Sequence, residues 1–304
     1  MAWLAALLAL FVNLVSLPGA QETKLTLYYT ASLNGSLDGC TCEWTPAGGL
    51  VKRAVFLRHR PDPESSLLLD AGNLLNAHPD PALADEILAV YGELGYTAVA
   101  VGGYEFANGI QALMSYRERV ALLCHNLSLS GNGKSFVPFS QEPLLATVKG
   151  LRIGIFALLE PESLDSCPRQ DRALVRISPP APRARSLLEV CRRRGAALTI
   201  LLYHGRQEAA LRLAREAPGI DLILFAQEQK LVPPYREGGT IFASPGELGN
   251  RVGILTLTLA SGKVAGFVNS FRYFNYRTDA DDPSVRDRVN RYRQALRSLL
   301  KPRD

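Results

Sequence analysis

After its first twenty residues the chain has no apolar run long enough to cross a bilayer as a helix, which takes roughly 20 residues, so the body of the protein is expected to stand free of the membrane. No long linker or low-complexity stretch divides residues 24 to 275, and no internal repeat is present. A chain of tandem repeats is therefore excluded. The arginines of "CRRRGAA" and "VRDRVNRYRQALRSLLKPR" have no aromatic platform beside them, and Asp281, Asp282 and Asp287 are interleaved near the second cluster. Despite a formal net charge of +5, this pattern reads as a solvated helix face, and nucleic-acid binding is not expected.

What the sequence does have begins at its N-terminus. "MAWLAALLALFVNLVSLPGA" carries no charge and ends in small residues. Its apolar core is shorter than a spanning helix, so residues 1–20 are expected to be a signal peptide cut near Ala20–Gln21, giving a periplasmic or secreted protein. An uncleaved N-terminal anchor is the alternative, since no basic residue precedes the core. The 304 residues, 47% of them hydrophobic, suffice for one large domain or two small ones.

Five cysteines is an odd number for an exported chain, so at least one is free, paired between molecules, or bound to something. Cys124 and Cys191 lie in apolar, periodic surroundings and read as buried small hydrophobes. Cys167 is placed in a loop. Cys40 and Cys42 form a Cys-x-Cys pair within "TASLNGSLDGCTCEWTPAGGL", directly after the apolar run "LTLYY".

Short leucine-rich or β-branched runs such as "KLTLYYT", "SLLLDA", "LRIGIFAL", "LTILLYH" and "IDLILFA" alternate with helical patterns such as "GGLVKRAVFLRHR", "ALADEILAVYGELG" and "RQEAALRLAREA". This alternation predicts an α/β core, and "TVKGLRIG" and "TLASGKVAG" predict two hairpins. Asp282 is placed to cap a helix with Pro283 at its first position. The expected domains are a main body over 21–276 and a basic C-terminal helix within 277–304.

The order of these elements resembles the N-terminal domain of the periplasmic 5′-nucleotidase branch of the calcineurin-like metallophosphoesterases. "LYYTASLNG", "AGGLVKRAVFLRH", "SLLLDAGNLLN", "LGYTAVAVGGYEFANG", "LTILLYHG", "GIDLILFAQEQ" and "ASPGELGNRVGIL" carry the likeness. The resemblance implies a four-layer α-β-β-α sandwich of two mixed sheets, with the site at the loops after the strand C-termini. It also implies a pair of divalent metals that polarise the phosphoryl group and activate a water. A C-terminal domain that stacks the nucleobase follows the helix in that family; it is expected to be absent here.

Those metals need carboxylate and imidazole ligands, and the matching positions carry other residues. Ser32 and Asn34 replace Asp and His on the first loop, and Asn73 replaces the bridging Asp, although Asp70 and Gly72 remain. Gly-Asn-His-Glu is Gly102-Gly103-Tyr104-Glu105. Gln227 and Gln229 stand for the last two histidines, and His204 alone keeps its identity. A dimetal centre and ordinary phosphatase activity are therefore not expected.

Topology suggests that Cys40 and Cys42 hang over the old mouth, and three readings of the pair stay open. One is a structural disulfide. A second is a single soft or borderline ion, zinc or copper, held by Cys40, Cys42 and His204. The third is thiol redox chemistry, which a likeness of "LDGCTCEWTPAGGL" to a cysteine- or selenocysteine-bearing nucleotidase-like subgroup favours. Tyr104 and Glu105 are weaker acid–base candidates. His59 and His78 read as solvated, and His125 as architectural. The leading expectation is thiol redox or binding, with an unidentified small molecule or protein as partner. A divergent metal-dependent hydrolase and a non-enzymatic scaffold using the basic helix are the alternatives.

Overall fold

A computed structural model describes residues 22–41, 46–131, 134–227 and 231–300. The expected signal peptide, Cys42 and Gln229 lie outside the described residues.

In chain order the first half contains β1 (Thr23–Thr30), α1 (Gly49–Arg58), β2 (Ser66–Asp70), α2 (Pro81–Leu94), β3 (Ala98–Ala100), α3 (Ile110–Tyr116), β4 (Leu122–Leu123), β5 (Leu127–Gly131) and β6 (Lys134–Phe136). It continues with β7 (Leu144–Val148), β8 (Leu151–Leu159), α4 (Arg169–Arg172), β9 (Val175–Ile177), α5 (Pro180–Arg193), β10 (Leu198–His204) and α6 (Gln207–Glu216). The last elements are β11 (Leu222–Ala226), β12 (Val232–Glu237), β13 (Thr240–Ser244), β14 (Arg251–Ala260), β15 (Lys263–Tyr273) and α7 (Pro283–Leu300).

Two six-stranded sheets result, ordered β15-β14-β1-β2-β3-β4 and β12-β13-β11-β10-β8-β7, with β6-β5-β9 as a small third sheet that the sequence pattern did not anticipate. Both large sheets are mixed: β1, β2, β3 and β4 run parallel, as do β8, β10, β11 and β13, while the hairpin strands are antiparallel. The two expected hairpins turn through left-handed residues, Lys149-Gly150 between β7 and β8 and Ser261-Gly262 between β14 and β15. Those are the conformations that match the twist of paired strands in a two-residue loop.

The layers follow from the two-residue period of a strand. On β1, Leu25, Leu27 and Tyr29 enter the core between the sheets, whereas Tyr28 joins the core under α1 and α2. On β10, Leu198, Ile200 and Leu202 face between the sheets, whereas Leu201 and Tyr203 pack under α5 and α6. Helices thus cover the outer face of each sheet, giving the four-layer α-β-β-α sandwich. The same parity places His204, the last residue of β10, on the inter-sheet side.

Helix α7 lies against α1 and α2, burying Val285 and Val289 completely. Asp282 caps it, Oδ1 accepting from the Val285 N–H at 3.1 Å and the Ser284 hydroxyl at 2.7 Å. Among the described residues no helix is long and apolar enough to cross a membrane.

Candidate functional site

The C-terminal ends of β1, β2 and β3 from one sheet and β8, β10 and β11 from the other meet at one edge of the sandwich. Their loops enclose a cavity of about 910 Å³, the size of a small-molecule site. Ser32, Asn34, Asn73, Gly103, Tyr104, His204 and Gln227 all line it. The described positions singled out by the resemblance are thus brought together, with the exposed His78 also at the rim.

The loops are stitched to one another by backbone. Ser32 N–H donates to Gly72 O at 2.8 Å, Asn34 N–H to Asn73 O at 2.9 Å, and Leu248 N–H to Ser32 O at 2.8 Å. Four cavity positions sit in the left-handed region: Ser32 at φ 47°, Asn34 at 52°, Asn73 at 60° and Gln227 at 73°. Asparagine tolerates that conformation, while a residue such as Ser or Gln is held there at a cost of about 1–2 kcal/mol.

Glu105 organises the floor. Its side chain is fully buried, and its two oxygens accept the N–H groups of Gly102 (2.6 Å), Leu74 (2.7 Å), Asn73 (3.1 Å) and Leu75 (3.3 Å). Burial pushes its carboxyl up to about 7, against the opposing pull of those four donors. Both oxygens are committed to backbone, so Glu105 positions two loops, while its neighbour Tyr104 reaches the cavity wall.

Asp70 falls on the opposite parity of β2 and points under the helices. It accepts from Gly72 N–H (2.8 Å), the Thr30 hydroxyl (2.5 Å) and the Tyr91 hydroxyl (3.0 Å). Tyr91 in turn accepts from the completely buried Arg53 at 2.6 Å. Asp70 therefore anchors the turn behind the cavity and does not line it.

The neutral residues at the remaining positions also bridge loops. Asn73 Oδ1 accepts from Tyr104 N–H at 3.0 Å, and Gln227 Nε2 donates to the Ser163 hydroxyl at 2.7 Å. Gly103 touches the same segment: a Cβ there would lie 2.2 Å from the Ser163 carbonyl oxygen. The chain following β8 fills the space that a side chain at 103 would need.

His204 is different. It is fully buried, and its Nδ1 lies 3.3 Å from Ala71 O. A carbonyl only accepts, so Nδ1 carries the proton and Nε2 presents a lone pair. That Nε2 and Asn34 Oδ1 are buried without a hydrogen-bond partner. Burial pushes the imidazole down to about 4, outweighing its bond to Ala71, so it is neutral at pH 7.

At the positions the resemblance assigns to ligands, one neutral imidazole, one hydroxyl and three carboxamides do not fit a pair of dications, which need several anionic or imidazole donors, and the carboxylates elsewhere on the cavity wall do not gather with His204 into such a set. Among the described residues no group of three or more His, Cys, Asp or Glu is placed to hold a metal ion.

Cys40 is disulfide-bonded, so in this state it offers no thiolate as nucleophile or metal ligand, and it is not among the residues lining the cavity. Its N–H donates to Ala47 O at 2.8 Å, and Ala47 bridges to Asn275, so the loop leans toward the end of β15. Cys124, Cys167 and Cys191 are free and buried; burial pushes their thiols up, to about 12, 11 and 11. Sequence reasoning missed the acidic residues after β8 and in α6, because nothing in their spacing ties them to the first loop.

No family model and no curated protein matches the sequence. Solved structures do match the fold. A 5′-nucleotidase precursor from Thermus thermophilus is 21% identical with a TM-score of 0.75, over 92% of this chain and 60% of that one. A calcineurin-like phosphoesterase, YfkN, from Bacillus subtilis is 18% identical with a TM-score of 0.73, over 92% of this chain and 100% of that one. A Thermus thermophilus sulfate thiohydrolase, SoxB, crystallised with glycerol, is 16% identical with a TM-score of 0.75, over 93% and 62%. The chain spans about three fifths of the first of these proteins. Its fold is that of the 5′-nucleotidase N-terminal domains and calcineurin-like phosphoesterases.

Proposed function

We propose that this is an exported protein of phosphoesterase fold whose dimetal centre has been lost, and whose cavity binds a small ligand without hydrolysing a phosphoester. The observation that carries this reading is the closure of the ligand positions themselves. Gly103 has the Ser163 carbonyl against it, the Asn73 and Gln227 amides bind neighbouring loops, and His204 stands alone as an imidazole. Four left-handed cavity positions support a site shaped for a ligand. The test is turnover of p-nitrophenyl phosphate and its bis-ester with manganese, zinc and magnesium supplied in turn. No rate above the protein-free control is expected; turnover that His204→Ala abolishes overturns the reading.

A second reading rests on the disulfide at Cys40, a half-buried residue beside the exposed Thr41. The Cys-x-Cys spacing of the sequence makes Cys42, which lies outside the described residues, the partner this reading proposes. Such a small ring is strained and readily reduced. An external dithiol would pass two electrons and two protons to the bond, becoming a disulfide itself and leaving two thiols here. Thiol counting on the native protein under mild dithiol should gain two reactive groups; no gain rules this reading out.

A further inference from the structure

Five carboxylates line the cavity, from Glu160, Glu162, Asp165, Glu208 and Glu247, against the guanidinium groups of Arg206 and Arg212. Two of the five are neutralised: Glu160 pairs with Arg212 at 3.2 Å and Asp165 with Arg172 at 3.3 Å. Among the described residues Glu162, Glu208 and Glu247 have no cationic partner within ion-pair distance, and Arg206 is the one lining arginine outside an ion pair. Among the described residues, three unpaired negative charges thus face one unpaired positive charge.

An acidic rim alone is often only solvated surface. Here the floor beneath it points the same way. His204 lines the cavity with its Nε2 lone pair unpartnered, and Asn34 Oδ1 is a second buried acceptor without a donor. The Asn34 amide nitrogen already donates to Glu247 Oε2, at 3.3 Å, so its oxygen is the group left without a partner. Buried acceptors left unpaired are unfavourable until a donor arrives. The ligand that completes this site brings N–H groups and positive charge. A phosphate dianion would bring acceptors to acceptors and negative charge to a net negative rim.

We propose that the cavity takes a small organic cation bearing a primary ammonium or guanidinium group, its N–H donors directed at His204 Nε2, Asn34 Oδ1 and Glu247, and its charge offset by Glu162 and Glu208. This rests on the reading of the cavity as a non-hydrolytic binding site, and gives that site a ligand class. It also reverses the polarity implied by the fold: the same loops that would hold cations for an anionic ester now receive the cation as ligand.

The test is calorimetric titration of the full mature chain with agmatine, which carries both cationic groups, and separately with inorganic phosphate. Agmatine should bind saturably, more weakly as salt rises, and more tightly than phosphate. The double variant Glu162→Gln/Glu208→Gln should weaken agmatine about five-fold. Both residues are exposed, so folding is expected to be retained, and Glu189→Gln, on the outer face of α5, should change nothing. No saturable agmatine binding, equal affinity in the double variant, or tighter binding of phosphate overturns the cation assignment. Phosphate bound more tightly than agmatine without ester turnover overturns only this assignment, whereas hydrolysis of p-nitrophenyl phosphate brings down the proposed function itself.

Discussion

Along the contact of α7 with α1 and α2, Asp38, Glu86, Glu93 and Asp282 each meet an arginine, whereas at the cavity Glu162, Glu208 and Glu247 meet none among the described residues. The first set is a closed account of charge. Arg286 reaches Asp38 at 2.7 Å and Asp281 at 2.6 Å, Arg288 reaches Glu86 at 3.0 Å, and Arg58 reaches Asp282 at 2.8 Å. Arg291 and Arg293 also pair, with Glu86 and Asp38. The basic helix that invited a partner-binding interpretation has therefore committed four of its arginines inward. The cavity set is open, and the buried acceptors beneath it are open as well. The α7 contact balances its charges within the chain, whereas at the cavity, among the described residues, unpaired carboxylates outnumber unpaired arginines.

The largest expected effect comes from breaking the cavity side of this contrast. Glu105→Ala leaves four buried N–H groups without an acceptor and should lower stability by about 3–5 kcal/mol, read by urea denaturation. A loss below about 1 kcal/mol would mean that water or backbone replaces the carboxylate easily. Next is Gly103→Asn, which restores the residue type of the resemblance but drives a Cβ against the Ser163 carbonyl. Overpacking there should cost about 1–3 kcal/mol; a stable variant that gains metal would show that the loop after β8 yields.

On the helix side, Asp282→Ala removes both the cap of α7 and the partner of Arg58. It should cost about 1–2 kcal/mol and leave ligand binding at the cavity unchanged. The smallest effect is that of acid. Burial alone would raise the carboxyls of Glu93, Asp281 and Asp282. Hydrogen bonds outweigh it, from Arg58 and Arg288 to Glu93, from Arg286 and Lys52 to Asp281, and from Ser284, Val285 N–H and Arg58 to Asp282, so all three lie below their ordinary values of 4.5, 3.8 and 3.8. Groups depressed in the folded state contribute stability above their ordinary values and lose it as pH falls through the folded ones. Melting temperatures of wild type and Asp282→Ala should therefore converge below about pH 4; curves that stay parallel would place the stabilisation elsewhere.

Much of the sandwich was legible because strand parity is local information. The alternation in "LTILLYH" and "KLTLYYT" separates inward from outward residues before any contact is known, and it carries His204 to the inter-sheet edge. The segments that escaped depend on distant partners. β5, β6 and β9 form one sheet through pairs such as Leu127 with Ile177, and β12 contains Pro233 and Pro234, which argue against a strand except at an edge. Most of the cavity positions were legible from the motif order. The course of the Cys40 loop was not, because contacts of Ala47 with Asn275 and of Asp38 with Arg286 and Arg293 direct it. The acidic rim was hidden for the same reason: Glu162, Glu208 and Glu247 come from three separate connections.

The proposed loss of the dimetal centre is decided by the metal content of the protein. Elemental analysis of the protein, purified without chelator and dialysed against manganese or zinc, should find well under one equivalent per chain, with no change in His204→Ala. Two equivalents per chain, falling in that variant, would contradict the account and return the cavity to hydrolytic chemistry.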